Sequence, residues 1–322
     1  MTQKTLPTNS TDSGSLLAGM LYGSAAALIW SLWPIVSRAG VTSSMDAWDV
    51  TFLRFAVAGA CLAPLLVKRG LGDVPWDKGL ALACFAGAPY VLIAVGGLTF
   101  APAGHGGVII PSLMLVFSGF GAWWLMGERP DRNRMIGVAI ILTGIALVGS
   151  EGFSRGGGQA WIGDLLFVVA GFLWASFTVL SRAWGVSPFL ATALVSVCSI
   201  LVYGPVYLFW KGPAFLEAPV AEIVLQAGFQ GLGAGIAALF LYSRSLAILG
   251  AGRGAIFAAI TPAAAVILAW PLLGEEPTIV ELLGLVVVSS GMVLALNLHR
   301  SVVRQSSTRQ LTKRFAERRS HQ

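Results

Sequence analysis

Charged residues are scarce in this chain, and their scarcity excludes a soluble globular domain. Only 11% of the 322 residues are Asp, Glu, Lys or Arg, whereas a soluble domain carries about 25%. Hydrophobic residues make up 56% of the chain. They occur in runs of about 20, long enough for a helix to cross a hydrocarbon core of about 30 Å. The composition therefore predicts a membrane protein that crosses the bilayer many times.

Cysteine and histidine are also rare, which argues against a disulfide-stabilised or metal-binding protein and against a membrane-embedded enzyme. The three cysteines, Cys61, Cys84 and Cys198, are scattered through apolar runs and offer neither a disulfide framework nor a metal-ligand spacing. The spans offer no histidine cluster, carboxylate pair or Asp-rich phosphate motif, one of which a membrane-embedded enzyme would need. We therefore expect no metal, no cofactor and no catalytic residue.

The apolar runs predict an all-α polytopic fold. Ten transmembrane helices are expected at roughly 16–37, 48–67, 79–100, 104–126, 133–150, 161–183, 189–210, 222–248, 253–273 and 278–298. The first fifteen residues are polar and predict a disordered tail, because a cleavable signal would need a charged start followed at once by an apolar core.

The two halves of the chain repeat each other. The motif AGHG at 103–106 is echoed by AGRG at 251–254, and GERP at 127–130 is echoed by GEEP at 274–277. The copies lie much farther apart than the roughly 20 to 50 residues of a solenoid repeat, which indicates two halves of one architecture. The expected division is a tail at 1–15, a first repeat at 16–151, a linker at 152–160, a second repeat at 161–298 and a basic tail at 299–322.

An odd number of helices in each repeat requires the second repeat to enter the membrane with the opposite orientation. The two five-helix repeats are therefore inverted, an arrangement that many secondary transporters use to alternate access to a central site. Lysine and arginine are concentrated in alternate loops, and the positive-inside rule then places both the N-terminus and the C-terminus in the cytoplasm.

Several short motifs resemble those of the drug/metabolite transporter superfamily, in its ten-helix form with two EamA-type repeats. They are Trp30 with Ser31, Arg54 with Phe55, Pro111, the GERP motif at 127–130, Gly137 and Gly144. The resemblance covers about 21–298. It implies export or exchange of small metabolites, often amino acids or related compounds, across a bacterial inner membrane without ATP.

Two positions depart from the pattern of that family. His105 stands where the family usually has a small residue, and Cys198 stands where the second repeat would place the counterpart of Arg54. These departures leave the substrate open. A multidrug or small-molecule efflux protein of the same fold is the alternative, and a membrane-embedded enzyme is the less favoured one.

Arg54 and His105 are the ionisable candidates for a substrate site. An arginine inside a span costs at least roughly 2.5 to 3.5 kcal/mol on insertion scales, so Arg54 should face a cavity or a partner. It would bind a substrate carboxylate, or else extend to the outer interface or pair with Asp46 or Asp49. His105 would be a proton-sensitive gate, because histidine changes charge in the physiological pH range. A capping or interfacial histidine is the alternative.

Aromatic and polar side chains supply the other candidate substrate contacts. Trp30 and Trp33 are spaced i and i+3, as are Trp174 and Phe177, so each pair shares one face of its helix. Such walls suit an apolar or aromatic substrate, while interfacial anchoring is the alternative for Trp33. The remaining candidates, for which burial against neighbours is equally compatible, are Tyr90, Gln230 and Tyr242.

Prolines inside helices, and glycines at the starts of the fourth and ninth, are the expected hinge positions. They are Pro34, Gly104, Gly106, Pro111, Gly252, Gly254 and Pro262. A proline inside a helix frees the carbonyl four residues before it, and paired interruptions in two halves are typical of a transporter's central site. A static kink for packing is the alternative.

The remaining signals concern packing and partners. Glu128 and Glu275 are expected to make structural loop contacts, and the repeat-matched glycines to allow close helix packing. The basic tail accounts for the net charge of +6 and should contact anionic lipid, at about 1 kcal/mol per basic residue near the surface. We expect a small-molecule substrate and the lipid bilayer as partners, no nucleic acid, and a monomer or homodimer.

Overall fold

The computed structural model describes residues 13–70, 74–151 and 158–296, and the regular structure of these residues is helical. The ten helices are α1 (Ser13–Val41), α2 (Ala47–Arg69), α3 (Trp76–Phe100), α4 (Ala103–Met126), α5 (Arg132–Glu151), α6 (Ala160–Ala183), α7 (Pro188–Lys211), α8 (Val220–Leu249), α9 (Ala251–Leu273) and α10 (Ile279–Ala295). Within the described ranges, α1 to α9 are long and apolar enough to cross a membrane, and α10 is a shorter apolar helix. The predicted all-α multi-pass membrane fold is confirmed.

The predicted helix positions agree with the structure to within a few residues. The largest differences are in α1, which begins at Ser13 rather than at about 16 and ends at Val41 rather than at about 37. The N-terminal tail up to residue 12, most of the linker predicted at 152–160 and the basic tail predicted at 299–322 lie outside the described residues.

Local sequence explains where several helices begin or break. Asp46 and Asp49 form a capping box at the start of α2, and Thr278 and Glu281 form another at the start of α10. Helix α3 consists of Trp76–Ala86 and Ala88–Phe100, separated by Gly87. Pro89 follows this break and has no backbone N–H with which to continue the helical hydrogen bonds.

The helices pack according to a two-fold relation between the halves. Three contacts join a helix to its own counterpart in the other half, namely α2 with α7, α4 with α9 and α5 with α10. Other large contacts come in matched pairs, because α1 packs on α8 and α9 just as α6 packs on α3 and α4. Successive crossings alternate in direction, so five helices in each half make the halves inverted.

The α5–α10 pair is held together by the repeat-matched glycines. A Cβ added to Gly144 would lie 2.7 Å from the backbone nitrogen of Val288 and 2.8 Å from the carbonyl oxygen of Gly284. A Cβ added to Gly291 would lie 2.8 Å from the carbonyl oxygen of Gly137. Two backbones in such close contact leave no room for side chains. The packing role predicted for these glycines is confirmed.

The repeated Gly-Glu motif forms the same local structure in both halves. Gly127 ends α4 and Gly274 ends α9, each in the left-handed region with φ of 70°, where glycine has no steric penalty. The following glutamates pair with repeat-matched arginines from the other half, Glu128 with Arg182 and Glu275 with Arg38. The expected loop contacts are thus two ion pairs between the halves.

Candidate functional site

Several of the predicted site residues meet where α1, α2 and α8 pack together. Trp33 Nε1 donates a hydrogen bond to Gln230 Oε1 (2.8 Å), and Arg54 Nη1 donates to the same oxygen at 3.4 Å. Gln230 Nε2 donates to Ser37 Oγ (2.8 Å) and to Gln226 Oε1 (3.2 Å). Arg54 is only 8% exposed, and Gln230 is fully buried. The contacts therefore bury a guanidinium group against a neutral amide.

The backbone of α8 departs from α-helical geometry at this point. Residues Ala227–Ala237 form a π-helical segment, a feature that is frequent at functional sites. Gly231 of this segment packs directly on α2, since an added Cβ would lie 2.5 Å from Val57 Cβ. The close packing of the π-helical segment on α2 brings Gln230 beside Arg54.

Aromatic side chains from α1, α3 and α6 form a row beside Arg54. Tyr90 stacks on Trp33 with ring centroids 6.2 Å apart and contacts Trp174 at 4.8 Å, and Trp174 contacts Phe177 at 5.5 Å. Tyr90 is buried, whereas Trp174 and Phe177 are only half-buried. The structure thus groups six predicted residues, here termed the Arg54 cluster: Trp33, Arg54, Tyr90, Trp174, Phe177 and Gln230.

Trp30 and Tyr242 form a separate contact between α1 and α8. Their ring centroids lie 4.9 Å apart at an interplanar angle of 61°, and both side chains are half-buried. Trp30 precedes Trp33 by less than one helical turn, so the pair neighbours the Arg54 cluster along α1.

Arg54 neither extends to the outer interface nor pairs with Asp46 or Asp49, the two alternatives that the sequence left open. Arg54 does not reach the interface, since it is buried, and Asp46 and Asp49 instead bind Lys211 Nζ at 2.5 Å and 3.2 Å. Partial burial alone would raise the pKa of Asp46, but hydrogen bonds from Lys211 and from the backbone of Asp49 hold that pKa below its ordinary value. The aspartates therefore join α2 to the end of α7, and the described residues place no carboxylate within ion-pair distance of Arg54.

The predicted prolines lie inside continuous helices, Pro34 in α1, Pro111 in α4 and Pro262 in α9. Helices α1, α4 and α9 meet at Gly107 of α4. A Cβ added there would lie 2.5 Å from Ala265 Cβ of α9 and 3.6 Å from Pro34 Cγ of α1. These prolines therefore lie near the crossing of the two halves, and their hinge role stays a prediction.

The predicted hinge glycines lie in the first turn of α4 or of α9. Gly104 faces α9, Gly106 faces α6 and Gly254 faces α8, while Gly252 is the second residue of α9. An added Cβ would be crowded at Gly106 and Gly254, with neighbours at 3.1 Å and 2.3 Å, whereas at Gly104 it would make an ordinary contact at 3.4 Å. Whether these glycines permit movement stays a prediction.

His105 lies apart from the Arg54 cluster and between two carboxylates. Its Nδ1 is 2.8 Å from Asp164 Oδ1 on α6, and its Nε2 is 3.0 Å from Glu281 Oε1 on α10. The other carboxylate oxygen of Glu281 accepts the backbone N–H of Thr278 (2.7 Å), whereas Asp164 Oδ2 is buried and has no hydrogen-bond partner among the described residues. His105 is 3% exposed, so it is neither an interfacial nor a simple capping residue. We call His105, Asp164 and Glu281 the histidine triad.

Asp164 and Glu281 are the candidate functional residues that sequence reasoning missed. The expectation that the spans contain no carboxylate pair is wrong, because His105 joins these two carboxylates across 59 and 176 residues of sequence. A signal was available, since each is the single acidic residue of an otherwise apolar helix. Ionisable residues in such positions are costly and mark functional sites.

A narrow crevice reaches His105 from the loop between α9 and α10. Val266, Ala269, Glu275 and Glu276 are among the residues that line it. The crevice joins His105 and Glu281 of the histidine triad to the surface formed by the loops on this face of the molecule.

Contacts of Arg38 and Glu275 link the helix ends beside the rim of the crevice. Besides its ion pair with Glu275, Arg38 donates to the carbonyl oxygens of Leu98 and Ala101, the latter at 2.8 Å. Glu275 Oε2 accepts the backbone N–H of Ala103 at 2.8 Å. These contacts hold the ends of α1, α3 and α9 to the start of α4.

The two repeat-matched ion pairs differ in burial. The side chains of Arg38 and Glu275 are 20% and 16% exposed, whereas those of Arg182 and Glu128 are 61% and 40% exposed. An exposed pair contributes only about 0 to 1 kcal/mol. The face that carries Arg38 is therefore closed more tightly than the face that carries Arg182.

Comparison with protein families gives two matches within the chain. The model described as the EamA-like transporter family matches residues 17–150 and again residues 161–297. A solved crystal structure superposes with a TM-score of 0.57 at 21% sequence identity, covering 89% of this chain and 99% of the other. At this identity the likeness concerns the fold alone.

Curated relatives carry the name of transporter. The uncharacterized inner membrane transporter YedA of Escherichia coli (strain K12) is 25% identical over 284 residues, 85% of this chain and 90% of YedA. The uncharacterized transporter YetK of Bacillus subtilis (strain 168) is 22% identical, over 74% of this chain and 75% of YetK. An uncharacterized transporter of Archaeoglobus fulgidus is 28% identical over 161 residues, and this chain spans about half of it (53%).

Proposed function

Because this chain belongs to the EamA-like transporter family, we propose that it is a secondary transporter that exports or exchanges a small amphipathic metabolite with a carboxylate group, such as an amino acid. The two inverted halves would alternate access to the Arg54 cluster. The observation that carries this proposal is the buried guanidinium of Arg54, which contacts a neutral amide rather than a carboxylate.

A buried cation of this kind is suited to an anionic ligand group. An unpaired charge away from water is costly, and a charge-assisted hydrogen bond is about twice as strong as a neutral one. The planar guanidinium group also matches a carboxylate with two parallel hydrogen bonds. A substrate carboxylate would therefore supply the partner that the described residues of the protein do not place beside Arg54.

The aromatic row would accept the apolar part of the same substrate. Trp174 and Phe177 are half-buried, and they continue the row that runs through Tyr90 to Trp33. Aromatic rings gain from stacking and from the removal of apolar surface from water. A carboxylate at one end and an apolar or aromatic group at the other describe an amino acid or a related compound.

The proposed location is the bacterial inner membrane. The multi-pass fold requires a bilayer, and the Escherichia coli relative is named as an inner membrane protein. The small-molecule substrate and the lipid bilayer are the proposed partners, with anionic lipid at the basic tail, and the protein would act as a monomer or a homodimer.

Counterflow into proteoliposomes tests the proposal. Vesicles loaded with a mixture of amino acids should accumulate labelled amino acid from outside, and the amides of the same compounds should compete poorly. Arg54→Gln should reduce accumulation at least about tenfold, which corresponds to 1.4 kcal/mol of lost interaction. Arg244→Gln is the matched control, because Arg244 also lies within a span but is exposed.

Other outcomes distinguish the alternatives. Counterflow of uncharged aromatic drugs that Arg54→Gln leaves unchanged would instead identify a multidrug efflux protein, to which the aromatic row is also suited. Conversion of a compound during the assay would identify an enzyme. Equal loss of transport for acids and their amides in Arg54→Gln would show that Arg54 only holds α2 in place.

A further inference from the structure

We propose that the histidine triad is a proton-binding site that closes one face of the transporter when it is occupied. Its proposed ligand is a proton that enters from water through the crevice lined by Ala269 and Glu276 and returns by the same route. The role of the site in alternating access rests on the proposed function. The number of protons that the triad needs, by contrast, depends only on the distances between His105 and the two carboxylates.

The two short contacts of His105 require one proton more than a neutral imidazole and two ionised carboxylates provide. A neutral imidazole has one N–H donor and one acceptor nitrogen, and an ionised carboxylate only accepts. With both carboxylates ionised and the imidazole neutral, one ring nitrogen would present a lone pair to a carboxylate oxygen at 2.8 or 3.0 Å. An additional proton, on the imidazole or on a carboxyl group, converts that repulsion into a hydrogen bond.

The surroundings of the triad favour retention of this proton. His105 is 3% exposed, and within the described part of the chain Asp164 Oδ2 is buried without a hydrogen-bond partner. Two ionised carboxylates beside a neutral imidazole would leave two unbalanced charges in a poorly solvated place, which is costly. One added proton reduces the net charge from two to one.

The other charged groups at this end of the molecule lie outside the histidine triad, and two of them, Arg38 and Glu275, form an ion pair at the rim. From the elements that pack against α4, Asp164 of α6, Glu281 of α10, Glu275 and Glu276 of the α9–α10 loop and Arg38 of α1 face this end of the molecule, and Glu151 ends α5 here. Arg38 neutralises Glu275. The other charged residues of α3, α4, α5 and α9 within the described ranges lie at the opposite ends of those helices.

The triad links proton binding to movement because its members come from three helices. His105 lies in the first turn of α4, which packs on α6 in one direction and approaches α10 in the other. Loss of the proton would break one of the two contacts and favour separation of α4 from α6 or from α10. Low pH should therefore favour the closed crevice, and high pH the open crevice.

Cysteine labelling in the crevice tests this inference without any substrate. In a protein whose three native cysteines are replaced, Ala269→Cys places a thiol on the crevice wall at a position that is 2% exposed. Its labelling rate is divided by that of an exposed thiol on the same face, Ser150→Cys, which corrects for ionisation of the thiol itself. Each unit of pKa difference between closed and open forms changes their ratio by about tenfold. For a difference of one unit, the corrected rate should rise about tenfold from acidic to alkaline buffer.

Conservative variants show which groups titrate. Asp164→Asn provides an amide N–H that donates to the neutral imidazole, so the crevice should stay closed at every pH without the added proton. Glu281→Gln should behave in the same way and keeps a residue type that is suited to the capping box. Glu276→Gln is the matched control, since this crevice carboxylate lies outside the triad and should leave the pH response unchanged.

A wild-type labelling rate that does not change with pH would overturn the inference. An unchanged pH response in both Asp164→Asn and Glu281→Gln would also overturn it, because the titrating group would then lie elsewhere. Failure of the proposed function is a separate result. A pH-dependent crevice together with no counterflow of any carboxylate compound would retain the proton site and reject the proposed transport activity.

Discussion

At the scale of single residues, Arg54 and His105 show two ways of holding a charge inside a membrane protein. Arg54 is buried against the amide of Gln230 and contacts no carboxylate among the described residues. His105 lies between Asp164 and Glu281. The first arrangement leaves a cation that, as proposed, would bind a substrate carboxylate. In the second, the proposed proton would complete both hydrogen bonds of the imidazole.

The aromatic row yields a prediction at this scale. Trp174→Ala should reduce the transport rate per folded molecule at least about tenfold, because it removes the ring that contacts both Tyr90 and Phe177, and aromatic pairs contribute about 0.5 to 1.5 kcal/mol beyond their buried area. The measurement is counterflow divided by the yield of monodisperse protein. Trp124→Ala is the control, since Trp124 is 76% exposed. Equal effects of the two changes would make Trp174 an ordinary packing residue.

At the scale of elements, helix packing depends on where side chains are absent. Gly231 allows the π-helical segment of α8 to touch α2, and the matched glycines allow α5 to touch α10. In lipid, apolar side chains gain little by meeting each other, so close backbone contact is what favours one helix pair over another. The positions of these glycines thus determine which helices become neighbours.

The α5–α10 seam yields a prediction about stability. Gly144→Leu should lower the free energy of unfolding by at least about 1 to 3 kcal/mol, the usual effect of overpacking, because its side chain would meet backbone atoms of Gly284 and Val288. Gly96→Leu in α3 is the control, since an added Cβ there meets nothing within 4 Å. The midpoint of thermal unfolding in detergent is the measurement, and a midpoint equal to that of Gly96→Leu would contradict the seam.

At the scale of the whole molecule, the two halves are related by symmetry but not identical. Arg38 and Glu275 close one face with partly buried contacts, while Arg182 and Glu128 form an exposed pair on the other. The histidine triad lies beneath the first face, and Arg253 occupies the corresponding position of the second half. With the proposed proton site, such an asymmetry would let the two faces respond differently to pH and to substrate.

The predicted orientation in the membrane yields a test at the same scale. In a background without native cysteines, Gly156→Cys in the linker between the halves should react with an impermeant thiol reagent added outside intact cells. Ser306→Cys in the basic tail should react only after the cells are opened, because the positive-inside rule places that tail in the cytoplasm. The opposite pattern would reverse the predicted orientation, and labelling of both thiols from outside would contradict five crossings in each half.

The sequence alone could predict the members of the Arg54 cluster but not their contacts. Trp33, Arg54 and Gln230 are conspicuous because polar or aromatic groups stand out in apolar helices. Which partner each would take was not predictable, as Asp46 and Asp49 illustrate. They lie closest to Arg54 along the chain, yet they bind Lys211, since the end of α7 packs beside the start of α2.

Local and repetitive features were determined by the sequence itself: the apolar runs, the two halves and their opposite orientation follow from composition, length and a helix count. These properties depend on residues that are neighbours along the chain, so they can be read without tertiary contacts. The histidine triad was decided only by the tertiary structure. Its three members come from the N-terminal ends of α4, α6 and α10, and only the crossing of those helices brings an imidazole and two distant carboxylates within hydrogen-bond distance.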